Sequence, residues 1–306
     1  MENGFEDTSP ELPLANALDS SIIMHRDAHF GGSFDLMLDY YARGGKGVSP
    51  EIEVERIKEL NLIEKEMKQN LAAVILSGPD AERVADAREA YKSLREVYNL
   101  NKPYNKHPKL LADLILSEKE DPEEEIEAIV KEKGAIVHAL IDLIKSEDFH
   151  DPLFPGYGLA PGLAIKCLGR IGDKFAIIPL FESLDSNDFF DEETALQSLK
   201  AIGEPAKKFL LTVLQGKPIT ADNEKAALAL IRFNEDLEVV KTSISLLEDP
   251  KVRKNELFST YLALACEGLK DKALIKKFMD LTRDIETPRG LRKEMEILAK
   301  TFSQLP

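Results

Sequence analysis

Residues 164–172 read Ala164-Ile165-Lys166-Cys167-Leu168-Gly169-Arg170-Ile171-Gly172, and thirty-one residues on the chain reads Ala195-Leu196-Gln197-Ser198-Leu199-Lys200-Ala201-Ile202-Gly203. The Ala, Leu, Ile and Gly positions coincide. A third copy keeps the same offset at Ala226, Leu230 and Phe233, with Asn234 where the glycine would stand. Each copy leads into a second amphipathic segment, at 174–184, 205–214 and 236–247. A looser fourth copy covers 252–284, and Thr287-Pro288 opens a last helix over 288–302 as a cap. Apolar residues recur at three and four, the period of a helix face. A self-similar period of this length is the mark of a stacked helical array, in which one helix pair cannot bury its apolar face alone. The alanines allow neighbouring repeats to approach. Gly or Asn, both tolerant of the left-handed conformation, is expected to end the first helix of each pair.

The text Ala164 to Asp173, followed by Ala176-Ile177-Ile178-Pro179-Leu180 and by Ala201-Ile202-Gly203-Glu204-Pro205-Ala206, resembles HEAT repeats of the short bacterial type, also called phycobilisome-lyase-like repeats. The resemblance is specific over residues 160–247, weaker to 284, and does not cover residues 1–100. It implies an all-α fold, a right-handed α-α superhelix (HEAT-like solenoid) with a helical N-terminal region. Fold likeness of this kind implies a binding surface more than a reaction.

Upstream, three segments are expected. Residues 1–32 form a poorly ordered or extended N-terminal segment. Residues 33–149 form a helical region: a short helix capped by Ser33, one long helix from Ser49-Pro50-Glu51 to about Leu76 ended by Gly78-Pro79, a partner over 81–98 capped by Asp80, and further pairs from Pro108 and Asp121-Pro122. Residues 150–306 carry the repeats and the capping helix. The loop His150 to Pro161, with three prolines and two glycines among residues 152–158 and 161, is the expected joint.

The 306 residues carry 40 Lys and Arg against 55 Asp and Glu, a formal net charge of −15. Such a surface repels phosphate backbones and anionic lipid, so neither nucleic acid nor membrane is an expected partner. No run of Lys and Arg suggests a basic patch. The N-terminal MENGFEDTSPELP lacks the basic and apolar regions of a signal peptide, and no apolar run is long enough to span a bilayer. The expectation is a cytoplasmic protein. Cys167 and Cys266 sit in apolar helical patterns and read as buried reduced thiols.

Two known enzyme types with HEAT-like folds are tested directly by the residues. Hydroxylases of the deoxyhypusine type hold iron with His-Glu pairs; no such dipeptide occurs, and residues 160–306 contain no histidine. DNA glycosylases of this fold present a basic, aromatic groove, which an acidic chain without tryptophan does not suggest. The third type implied by the resemblance is the phycobilin lyases.

The most chemical stretch is Met24-His25-Arg26-Asp27-Ala28-His29-Phe30-Gly31-Gly32. On a helix His25 and His29 share a face, with Asp27 a possible supporting group, so these three are the candidate metal set. Candidate partner-binding aromatics are Phe154 and Tyr157 in the proline-rich loop and Phe189 and Phe190 between repeat helices. The function expected is a non-enzymatic protein-interaction scaffold or adaptor docking a partner with basic patches, with no cofactor. The alternatives are a lyase-like chromophore or cofactor chaperone, or a metal or small-ligand enzyme centred on His25 and His29.

Overall fold

A computed structural model describes residues 16–45, 52–99, 106–185 and 189–302. Among them every regular element is helical, as the apolar spacing requires. The chain divides into two compact units. One holds the described residues up to Ile129 together with Lys145–Leu163; the other holds Val130–Ile144 and the described residues from Ala164. The proline-rich loop therefore belongs to the first unit, and residues 130–144, expected with the N-terminal region, belong to the second.

In the first unit α1 (Ala17–His29) lies against α5 (Gly78–Asn99) and α4 (Leu71–Ile75), while α2 (Phe34–Ala42) packs on α3 (Val54–Met67) and α6 (Lys106–Leu116) on α5. The next helix, α7, runs Glu123–Val130. The expectation of a helix-free stretch through residue 32 is corrected here. Asn16 and Asp19 form a capping box that starts α1, and eight of its residues are buried; the polar text that suggested looseness is instead neutralised internally. Residues 1–15 lie outside the described residues. Ile22, Ile23, Phe34, Met37, Ile57, Leu60 and Leu71 make the core. Ser33 caps α2 as expected, its hydroxyl accepting from the Leu36 amide at 3.2 Å.

The single long helix expected to reach Leu76 is two. Lys68 turns left-handed at φ 51°, and the Asn70 side chain caps α4 by accepting from the Ala72 amide. The Glu64 carboxylate takes the Leu71 amide at 2.8 Å, so the break is satisfied on both sides. The proposed start at Ser49-Pro50-Glu51 lies outside the described residues; α3 begins at Val54. Gly78-Pro79 opens α5 rather than closing its predecessor, and the cap is Ser77, whose hydroxyl bonds the Asp80 carboxylate at 2.6 Å. Proline belongs in a first turn, where its missing N–H costs nothing.

The second unit is a stack of helix pairs, the packing of an α-solenoid. After α8 (Val137–Lys145) come α9 (Ala160–Ile171) with α10 (Ile177–Glu182), α11 (Phe189–Ile202) with α12 (Glu204–Leu214), and α13 (Ala221–Leu230) with α14 (Leu237–Leu247). A short α15 (Pro250–Arg253) precedes α16 (Glu256–Leu264) and α17 (Lys272–Arg283), and α18 (Arg289–Phe302) packs on both. Ala164, Ala195 and Ala226 are fully buried, as are Leu168, Leu199 and Leu230, so the repeated letters are the repeated core. Gly169 lets α9 and α11 touch: a Cβ there would fall 2.7 Å from Ser198 Cα, and the Ser198 hydroxyl donates to the Ile165 carbonyl at 3.0 Å.

The period appears again in the polar contacts. Lys207 to Asp236, Asn255 to Glu224 and Arg253 to Asp284 are hydrogen-bonded pairs 29, 31 and 31 residues apart. Gly172 and Gly203 end their helices at φ 71° and 78°, the left-handed region. Asn234 does not: it stays right-handed at φ −59°, because α13 runs out through a 3-10 turn over Ile231–Phe233 that closes the segment without a left-handed residue. Cys167 and Cys266 are buried and not joined in a disulfide, and burial pushes the Cys266 thiol up to about 12.

Candidate functional site

The candidate site lies in the first unit, where α1 and α5 meet the loop 151–158. One face of α1 is apolar: Met24 and Ala28 pack with Val84, Ala87, Leu153 and Phe154. On the same helix His25 and His29 stand one turn apart, and their rings stack at 5.3 Å with 17° between planes. Both rings are held neutral. Burial, with His29 alongside, pushes His25 down to about 3. Burial pushes His29 down to about 4 against the favourable pull of the Pro152 carbonyl.

Asp27 does not join them. Two residues along a helix is more than half a turn, and its carboxylate is taken by Arg26, whose Nε donates at 2.7 Å. Arg26 is itself fully buried, bound also to Glu64 at 2.5 Å and Asn70 at 2.9 Å, and lies over the Phe34 ring. The expected set of His25, Asp27 and His29 therefore does not converge, and among the described residues no group of three or more His, Cys, Asp or Glu side chains is placed to hold a metal ion.

What surrounds His29 instead is phenolic. Its Nδ1 and the Tyr91 hydroxyl are hydrogen-bonded at 2.6 Å, and its ring meets the Tyr91 ring edge-on and the Tyr157 ring at 4.6 Å. Tyr157 in turn hydrogen-bonds with the hydroxyls of Tyr40 and Tyr91. Burial, with the half-buried Glu118 nearby, raises Tyr157 and Tyr91 well above the phenol range, and burial raises Glu118 itself. The tyrosines and histidines of this cluster are hydrogen-bond donors and acceptors, not charges, at neutral pH. His29 Nε2 and His25 Nδ1 are buried without a hydrogen bond. Such orphaned polar atoms are rare and cluster at sites with a use.

Tyr157 holds an unusual backbone, φ 54°, between Gly156 at φ 86° and Gly158 at φ 79°. The flanking glycines are required: a Cβ on either would lie 3.0 Å from a carbonyl oxygen, of Ile115 or of His150. Left-handed strain in a tyrosine costs about 1 kcal/mol or more and is held by its ring contacts. Tyr157 is thus a half-buried wall of the histidine cluster, and Phe154 beside it is buried core, not a surface anchor as expected. Phe189 and Phe190 form the first residues of α11; their side chains lie outside the described residues.

Next to His29 and Tyr91 opens a pocket of about 400 Å³, bordered on α5 by Arg88, Lys92, Arg95 and Glu96. Arg88, Lys92 and Arg95 are spaced by four and three, so they form one stripe. Reading for runs of Lys and Arg misses this stripe, because the intervening residues of α5 face other ways. Counting cations along the helix face could have found it. The Arg88 Nε is fixed by the Asp27 carbonyl at 2.7 Å, and the Arg95 guanidinium lies over the Tyr91 ring at 5.5 Å.

No family model matches the chain. A stretch of 79 residues, 24% of this chain, is 40% identical to the phycocyanobilin lyase subunit alpha of Picosynechococcus sp.. The match spans 29% of that protein's length, so the likeness is to part of the relative and not to the whole. The crystal structure of an engineered protein aligns over 69% of this chain and 95% of its own at 17% identity, with a TM-score of 0.33, too loose a likeness to carry an argument.

Proposed function

We propose that this protein is a non-enzymatic helical-repeat adaptor that docks a protein partner on its second unit. The observation that carries the reading is a pair of large apolar side chains left in solvent on that unit. Phe175 and Ile178, one turn apart, are 63% and 56% exposed. The His138 ring lies 6.2 Å from Phe175, and the Lys174 ammonium sits over it. Scattered surface apolar groups are ordinary, but aromatic residues are enriched at the cores of interfaces, and Phe175 has a second apolar side chain one turn away. The formal charge of −15 favours a partner with basic patches. A cytoplasmic setting is part of the proposal and suits two buried, reduced thiols; no helix among the described residues is long and apolar enough to cross a membrane. The test is capture from source lysate by the intact chain and by the double variant Phe175→Glu/Ile178→Glu. A partner retained by the first and lost by the second supports the proposal. The same proteins on both, or none on either, counts against it.

A second reading, a lyase-like chromophore chaperone, is favoured by the 79-residue match alone. It is tested by mixing the protein with phycocyanobilin. A saturable change in the visible absorption band at equimolar protein would support it, and an unaltered spectrum would dismiss it.

A further inference from the structure

We propose that the pocket on α5 binds a small planar aromatic carboxylate. This stands apart from both readings of the second unit and of the lyase match, and rests on the first unit only. Its volume of about 400 Å³ falls in the range that takes up small molecules. Two aromatic residues are in its lining, His29 and Tyr91, whose rings meet at 86° with 5.4 Å between centroids. The border is cationic in an otherwise acidic chain. Of its four charged residues among those described, Arg88, Lys92 and Arg95 are positive and Glu96 is negative.

These cations differ in freedom. The Arg88 Nε is anchored on the Asp27 carbonyl, while its Nη2 stands 3.9 Å from the Asp27 carboxylate, beyond hydrogen-bond reach, so that end of the guanidinium has capacity for a second acceptor. A guanidinium held by one edge presents the other to a carboxylate with little further ordering cost. Lys92 pairs with Glu89 at 3.1 Å along the helix, an exposed contact that a ligand anion can replace cheaply. Arg95, over the Tyr91 ring at 5.5 Å, adds a third positive charge to the same border.

His29 lines the pocket as well, and its hydrogen bond with the Tyr91 hydroxyl at 2.6 Å fixes the two rings against each other. Inorganic phosphate could meet the cations but not the aromatic wall, and a neutral arene could meet the wall but not the cations.

The experiment titrates the full chain with 2-naphthoate by calorimetry, in parallel with 2-naphthalenemethanol and with inorganic phosphate. Lys92→Glu/Arg95→Glu is the main variant. Both positions are exposed, and an unchanged melting curve certifies its fold. Tyr91→Phe keeps the ring and releases Nδ1. Saturable naphthoate binding, at least tenfold weaker for the alcohol and at least tenfold weaker in the charge-reversed variant, is the expected result. Absence of naphthoate binding at millimolar concentration, equal binding of the alcohol, competition by phosphate at equal concentration, or indifference to the charge reversal would each overturn the proposal.

Discussion

Arg26 carries more of the first unit than any neighbour on α1. It is fully buried and bound to two carboxylates and an amide oxygen, and among the described residues Asp27 and Glu64 have no other buried cation to turn to. Replacing Arg26 by Met keeps the length of the side chain and strands those acids. Breaking a buried pair from one side costs about 3–5 kcal/mol, so Arg26→Met is expected to lower the urea midpoint of unfolding steeply or to prevent folding. The two histidines set a different dependence. Both are neutral in the fold, at about 3 and about 4, against 6.5 in the unfolded chain. The unfolded state therefore binds protons first. Stability is complete above about pH 6.5 and falls as the pH drops towards 4, with a slope of about 1.4 kcal/mol per pH unit for each histidine. Denaturation followed from pH 7 to 4.5 should show a shallower fall for His25→Phe/His29→Phe than for the native chain. Equal slopes would mean that the rings charge freely in the fold. The shared face of His25 and His29 was legible from their spacing of four. Their phenolic surroundings were not, because Tyr91 stands 62 residues from its partner His29, and no period links them.

Helix boundaries were legible where a cap is local and not where a distant group supplies it. Ser33 announces α2, but the break between α3 and α4 depends on Glu64 reaching the Leu71 amide seven residues on, and nothing in the apolar pattern marks it. Asn223 is a second case. Its Oδ1 accepts from the Thr220 amide and its Nδ2 reaches the carbonyls of Val213, Leu214 and Gly216, tying the end of α12 to the start of α13. Asn223→Asp has the same shape and turns those donors into an acceptor facing three acceptors. A loss of at least about 2 kcal/mol is expected in chemical denaturation. The contact of α9 with α11 is the third. Gly169→Ala would press a methyl group against Ser198, at a cost of roughly 1–3 kcal/mol for overpacking, whereas Ser198→Ala in the Gly169→Ala background should recover part of it. No recovery would place the strain elsewhere.

At the scale of the chain, the repeat was readable because it is written twice, once in small and apolar letters and once in the spacing of 29 to 33 residues between its polar contacts. The first unit has no such period. Its organisation follows from pairings such as α1 with α5 that join residues far apart in the text. The division between units also escapes composition. Prolines and glycines at 150–161 suggested a joint, yet Gly156 packs against Ile115 and Leu153 and Phe154 are buried with Met24, so those residues belong to the first unit's interior. The proposed role of the second unit is to dock a basic protein through Phe175 and Ile178. Its direct measurement is calorimetric titration of the captured partner against the native chain and Phe175→Glu/Ile178→Glu, at low and at physiological salt. Loss of two interface anchors should weaken binding by about thirtyfold or more, and native binding should weaken with salt. An affinity that is the same for both chains and indifferent to salt would contradict it.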